Sequence, residues 1–175
     1  MLPTWEALHY PSKEDDTAWN FMYQTLQFQP SVQHRPGIVE PVPSLTYDIG
    51  HIYTVSETQA RLLEDDLNQK TLAALQVCTG HDERLYALDW QHTCYWFYPH
   101  RPFDADKAEA WGVPVLPNGD YYIFLAEDFR FGIFGHPWEQ TMCIFGQPLL
   151  DAYSRSRPLL FTRIVRTNGK PNASD

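Results

Sequence analysis

Cysteine is scarce in this 175-residue chain, and the three that occur, Cys78, Cys94 and Cys143, lie far apart. An odd number with no Cys-x-x-Cys pair excludes a disulfide framework and a cysteine-rich zinc site. Glycine is sparse as well: the nine glycines are scattered, and no phosphate-cradling loop can be built from them. A Gly-x-Ser-x-Gly elbow is missing, and His51, His81, His92, His100 and His136 show none of the spacings of a helical or strand-borne metal motif. A set such as Asp89, His92, His100 and His136 would have to be assembled across strands, and nothing in the spacing asks for it. No stretch approaches the roughly 20 apolar residues of a membrane helix. The opening Met1-Leu2-Pro3-Thr4-Trp5-Glu6 has neither the basic start nor the apolar core of a signal peptide. These absences lead to the expectation of a soluble, cytoplasmic protein with no metal and no cofactor.

Positive charge is short too. Up to Tyr153 there are 8 Lys and Arg against 21 Asp and Glu, a net of −13; beyond it Arg155, Arg157, Arg163, Arg166 and Lys170 face Asp175 alone, a net of +4, which together give −9. An acidic body repels phosphate backbones, which argues against nucleic-acid binding, and it attracts a basic protein partner. The same acidity also serves solubility. Aromatic residues, by contrast, are abundant: 10 Phe, 10 Tyr and 6 Trp. Tyr and Trp combine a large apolar body with a polar handle, which suits both half-buried sheet faces and binding interfaces.

The expected elements make one α+β domain over residues 1–167, followed by a disordered tail over 168–175. Ser12 caps a short N-terminal helix to Leu26, whose apolar stripe is Trp19, Met22, Tyr23 and Leu26. A proline-rich arm, Phe28 to Pro43, is extended. A strand follows from Leu45 to Tyr53, and Ser56 with Gln59 forms the capping box of the longest helix, Glu57 to Val77. From there the chain is mostly strand: a hairpin of Leu85–Trp90 and Cys94–Tyr98, then a meander of Tyr121–Ala126, Phe129–Phe134 and Gln140–Phe145. Tyr121–Ala126 is apolar on both faces, so it belongs at the centre of the sheet, covered on each side. Overall this is a mainly antiparallel meander sheet packed by one long helix and a shorter N-terminal one.

Two local features gather chemistry-bearing side chains. The hairpin tip Asp89-Trp90-Gln91-His92 lies beside Trp96 and Tyr98 and leads into His100. The turn Gly135-His136-Pro137-Trp138-Glu139 uses Gly135 for a sharp bend and Pro137 to hold His136 extended. Its expected arrangement has Trp138 plugging the sheet core, with His136 and Glu139 exposed on the outer side. Trp, Tyr and His at strand ends suit a recognition patch as well as a core plug.

The segments Leu26-Gln27-Phe28-Gln29-Pro30, Pro36-Gly37-Ile38, Ala87-Leu88-Asp89-Trp90-Gln91-His92, Tyr95-Trp96-Phe97-Tyr98-Pro99-His100, Pro117-Asn118-Gly119-Asp120-Tyr121-Tyr122 and Gly135-His136-Pro137-Trp138-Glu139-Gln140 carry a resemblance. Over residues 19–166 the chain resembles a bacterial family, domain-of-unknown-function family 2716, which supplies no catalytic residue to carry over. Small acidic α+β proteins of this build are also similar to immunity proteins that neutralise bacterial toxins. The expected function is therefore a protein-binding module using an acidic, aromatic surface. The alternative is a small hydrolase-type enzyme with its site at strand ends around Asp89, His92, His136 and Glu139.

Overall fold

The computed structural model describes residues 2–9 and 12–173. Its elements are β1 (Trp5–Ala7), α1 (Lys13–Asn20), β2 (Ser44–Asp48), α2 (Glu57–Cys78), β3 (Leu85–Asp89), β4 (Tyr95–Phe97), β5 (Tyr122–Ala126), β6 (Gly132–His136), β7 (Thr141–Phe145), α3 (Gln147–Arg155), β8 (Arg163–Thr167) and β9 (Lys170–Pro171). The strands form a nine-stranded antiparallel sheet in the order β1-β4-β3-β5-β6-β7-β2-β8-β9. The protein is thus α+β, with β5, β6 and β7 as the expected meander.

Alternation along the strands divides the apolar residues between two cores. Phe124 and Ala126 of β5 join Leu85, Ala87, Ile133 and Ile144 beneath α2 and α3. Ile123 and Leu125 face the other way, with Leu88, Phe134 and Cys143, under the N-terminal segment. Ser56 and Gln59 form the reciprocal capping box at the start of α2, which buries Leu67, Asn68, Thr71, Ala74 and Leu75 against the sheet.

The second layer departs from the expected helix. Ser12 Oγ accepts the Asp15 N–H at 3.1 Å as the cap, but α1 ends at Asn20 and passes into a wide π-type turn over Phe21–Thr25. Such a turn advances more slowly around its axis, so Ala18, Met22 and Leu26 align at intervals of four on the buried side. Trp19 and Tyr23, expected in the apolar stripe, are left at the rim, with Tyr23 47% exposed.

One strand lies where no element was expected, and two other expectations are corrected. The opening residues contain a strand, β1, which pairs with β4. Gly135 and His136 lie within β6, and the turn begins at Pro137. Gly135 makes no bend there; a Cβ on it would sit 2.9 Å from Pro117 and 3.2 Å from the Tyr122 carbonyl oxygen, so it serves close packing. The chain beyond Thr167, expected to be loose, turns through Asn168 (φ 52°) and Gly169 (φ 73°) into β9. Two successive positive φ angles make the tight hairpin turn that Asn-Gly favours. Of the expected tail, Ser174 and Asp175 lie outside the described residues.

The same turn is tied to β2: Asn168 donates its N–H to the Ser44 carbonyl, and its Oδ1 accepts the Ser44 N–H, each at 2.9 Å. Ser44 is buried, so Asn168→Ala strands a buried donor and also loses the residue best suited to the left-handed conformation. A loss of about 2 kcal/mol is expected in urea unfolding. A chain that folds as one unit should show a single transition in the curve. An unchanged midpoint would remove the turn from the account, and two transitions would divide the chain.

Candidate functional site

Tyr121 organises the side chains that the sequence singles out. It is fully buried, and its hydroxyl both donates to the Ser31 carbonyl and accepts the Ser31 N–H, at 3.1 Å in each case. Its ring meets Phe28 at 5.0 Å, Trp90 at 5.8 Å, His136 at 4.9 Å and Trp138 at 5.2 Å. One buried phenol thereby joins the proline-rich arm, the β3–β4 turn and the β6–β7 turn.

The residues around it have different fates. His136, expected to be exposed, is fully buried. Its Nδ1 accepts the Glu139 N–H at 3.1 Å, which leaves Nε2 to donate to the His34 carbonyl at 3.0 Å. Burial pushes its pKa down, so the ring is held neutral as a fixed connector between arm and sheet. Glu139 also points inward. Burial pushes its carboxyl up, but Arg166, with Nη1 and Nη2 each at 2.8 Å, overrides this and holds it below the usual range. Arg166 Nε reaches the buried Glu40 at 2.8 Å, and Thr46 Oγ1 donates to the same Glu40 oxygen. Trp138 is only partly buried, against Tyr121. The expected exposed pair of His136 and Glu139 is therefore corrected: each is committed to a structural partner.

Trp96, Tyr98 and His100 sit apart. Arg84 lies 3.6 Å over the Trp96 ring and Arg101 3.3 Å over Tyr98, each guanidinium also held by a carboxylate, Glu127 and Glu6 respectively. His100 Nε2 lies 3.0 Å from the Thr79 carbonyl just past α2. These residues brace the β1–β4 side of the sheet.

Asp89, Trp90 and His92 lie together at an opening in the surface. Between α1 and the β3–β4 turn, a cleft of about 460 Å³ is walled by Trp19, Tyr23 and Trp90 and carries Asp15, Asp16 and Asp89. No lysine or arginine is among its lining residues. Asp15 is 5% exposed; burial pushes its carboxyl up, Asp16 adds to the rise, and the Trp19 indole partly offsets it. Asp89 is likewise raised by burial, against the opposing pull of His92.

Sequence reasoning missed the α1 half of this cleft because Asp15 read as the residue reaching back to the Ser12 cap and Asp16 as an ordinary helix-dipole partner. The available signal was that Asp15, Trp19 and Tyr23 are spaced by four. Asp120 joins Asp89 and His92 at the edge of this opening. Pairing of Asp89 with Tyr122 across β3 and β5 brings it alongside, and His92 Nδ1 lies 2.9 Å from Asp89 and 3.3 Å from Asp120. The ligand atoms of these three residues fall within 4.8 Å of one another, so the group has the composition to hold a divalent cation. A protonated His92 bridges the two carboxylates equally well.

The chain matches the family model described as "Protein of unknown function (DUF2716)" over residues 10–150. It is similar to the uncharacterised protein YxiI of Bacillus subtilis (strain 168), with 35% identity over 162 residues, 91% of this chain and 98% of the relative. No solved structure matches. The chain belongs to the DUF2716 family.

The bridge at His92 has a definite pH signature. Its hydrogen bond to Asp89 raises the His92 pKa above the ordinary 6.5, and the charges facing it are Asp89 and Asp120. A raised folded-state value gives stability that is complete below the unfolded pKa and is lost as pH rises through the folded one. His92→Asn is therefore expected to lower the melting temperature relative to wild type below pH 6.5, and the difference should vanish at alkaline pH. A difference independent of pH would rule out the charged bridge.

Proposed function

We propose that this protein is a binding module that recognises a basic protein partner through its acidic, aromatic cleft. The observation that carries this reading is the combination of three carboxylates and three aromatic walls in one opening with no lysine or arginine among its lining residues. Two of those carboxylates, Asp15 and Asp89, are held above their ordinary range by burial, so a cation arriving there meets charge that water screens poorly. The excess of 13 negative charges over residues 1–153 would draw such a partner in from a distance, and the same excess disfavours nucleic acid. Toxin neutralisation as an immunity protein is the narrower form of this reading. A reducing, cytoplasmic setting is supported by the cysteines: all three are free, and Cys94 and Cys143 are buried.

The clustering of Asp89, His92 and Asp120 favours a second reading, a metal-assisted hydrolase, in place of a site that includes His136 and Glu139. It requires Mn²⁺ or Zn²⁺ to bind stoichiometrically and to be lost in Asp120→Asn. No helix among the described residues is long and apolar enough to cross a membrane, so membrane insertion of a helix plays no part in either reading.

The binding reading is tested by crosslinking and mass spectrometry in the native cell, followed by kinetics with the purified partner. Asp16 is exposed, and Asp16→Arg reverses charge at the rim without touching the core. The expected result is a partner with a basic surface whose association slows with salt, because exposed charges are screened beyond about 8 Å at physiological ionic strength. Asp16→Arg should slow it further. A partner indifferent to both salt and Asp16→Arg would contradict the proposal.

A further inference from the structure

Resting on that reading, we propose that the cleft is a subsite for a single arginine side chain of the partner, with Asp15 and Asp89 as its counter-charges and the Trp19 and Trp90 rings as its walls. The required arrangement already occurs within the fold itself. Arg84 stacks 3.6 Å over Trp96 while Glu127 grips its Nη2 at 2.9 Å. Arg101 stacks 3.3 Å over Tyr98 while Glu6 grips its Nη1 at 2.7 Å. Each pairs an aromatic face with a carboxylate around one guanidinium. The cleft offers the same two elements, rings and carboxylates, but no arginine or lysine lines it.

Asp15 supplies the independent sign of a missing partner. It is more than nine-tenths buried and lines the cleft, yet no lysine, arginine or histidine lies within ion-pair distance of it among the described residues. The Trp19 indole, which partly offsets the effect of burial, is neutral, and the nearby charge of Asp16 is of the same sign. A buried carboxylate left without a cation is costly, and an incoming guanidinium removes that cost while stacking on the adjacent rings. Arginine suits the place better than lysine, because a planar guanidinium can stack and donate a pair of hydrogen bonds in the same pose, whereas an ammonium is a compact and strongly hydrated point charge.

The other hollows fit less well. The space of about 240 Å³ beside Arg84, Glu127 and Arg130 is lined by charges that already neutralise one another, Arg84 with Glu127 and Arg130 with Glu83 and Asp128, all at 2.9 Å. The buried Arg166 group is likewise complete around its guanidinium.

The test titrates the full chain with Nα-acetyl-arginine amide, using the neutral citrulline analogue and the lysine analogue as controls, and follows the tryptophan indole N–H resonances. The arginine probe is expected to shift the Trp19 and Trp90 signals saturably, the citrulline probe to leave them in place, and the lysine probe to bind more weakly. Asp15→Asn keeps the shape of the side chain and should weaken the arginine probe roughly ten- to a hundredfold, the scale of a charged hydrogen bond. A thermal melt matching wild type shows that the variant is folded; Asp89→Asn serves as the second variant where it does not. Equal shifts from citrulline, undiminished binding in both variants, or lysine binding as tightly as arginine would each overturn the inference. If the probe fails while a basic partner still binds in a salt-dependent way, the subsite falls and the binding module stands. If the probe binds while no basic partner does, the module falls and the subsite stands.

Discussion

The carboxylate-bearing cleft between α1 and the β3–β4 turn is framed by the way Tyr121 is held. A fully buried phenol needs partners for its hydroxyl, and the backbone of Ser31 provides both a donor and an acceptor. That pair of bonds fastens a proline-rich arm, which has little regular hydrogen bonding of its own, to the start of the central strand. Once the arm is fastened, Phe28 lies edge-on to Tyr121 and to Trp90, and the N-terminal helix packs behind it. The cleft is the space left where this layer meets the β3–β4 turn. The Tyr121 anchor thus works with the packing of Ala18, Met22 and Leu26 to bring the carboxylates of α1 and the hairpin tip to one opening.

Two electrostatic groups divide the charge of the chain into spent and unspent parts. Arg166, counted in the sequence among the positive residues of the C-terminal stretch, is consumed by Glu40 and Glu139, and this closes the far end of the arm onto β8 and the β6–β7 turn. Its charge is therefore not available to a ligand. Among the described residues, Asp15, Asp16 and Asp89 have no such internal cation beyond the exposed His92, which serves Asp89 and Asp120. Net charge alone makes no such distinction. What separates the two groups is whether the fold brings a guanidinium within reach of the carboxylate.

Much of the architecture was legible because local signals agreed with one another. The Ser56–Gln59 capping box, the stripe through Leu67, Thr71 and Ala74, and the two-faced apolar run at β5 all point to the same packing. Failures came where a signal was read too weakly or where distance mattered. Asn168-Gly169 is a strong hairpin dipeptide, but its position near the end of the chain and its charged, exposed flanks made it look like a tail. The π-type turn at Phe21 rotated Trp19 and Tyr23 away from the core, a change that a fixed helical period does not foresee. Half of the site was visible in Asp89-Trp90-Gln91-His92. The other half required knowing that α1 lies across the β3–β4 turn, which no local spacing encodes.

The proposed recognition of a basic partner requires Asp15 to be a desolvated carboxylate that faces an open cleft without a cation, and carbon-detected NMR titration of its carboxyl measures this directly. The predicted result is a midpoint above the ordinary aspartate value of 3.8 in the free protein, because burial and the neighbouring Asp16 both resist ionisation. A midpoint at or below 3.8 would mean that the carboxylate is hydrated or already paired, and the cleft would then have no unmet charge with which to recognise a basic partner.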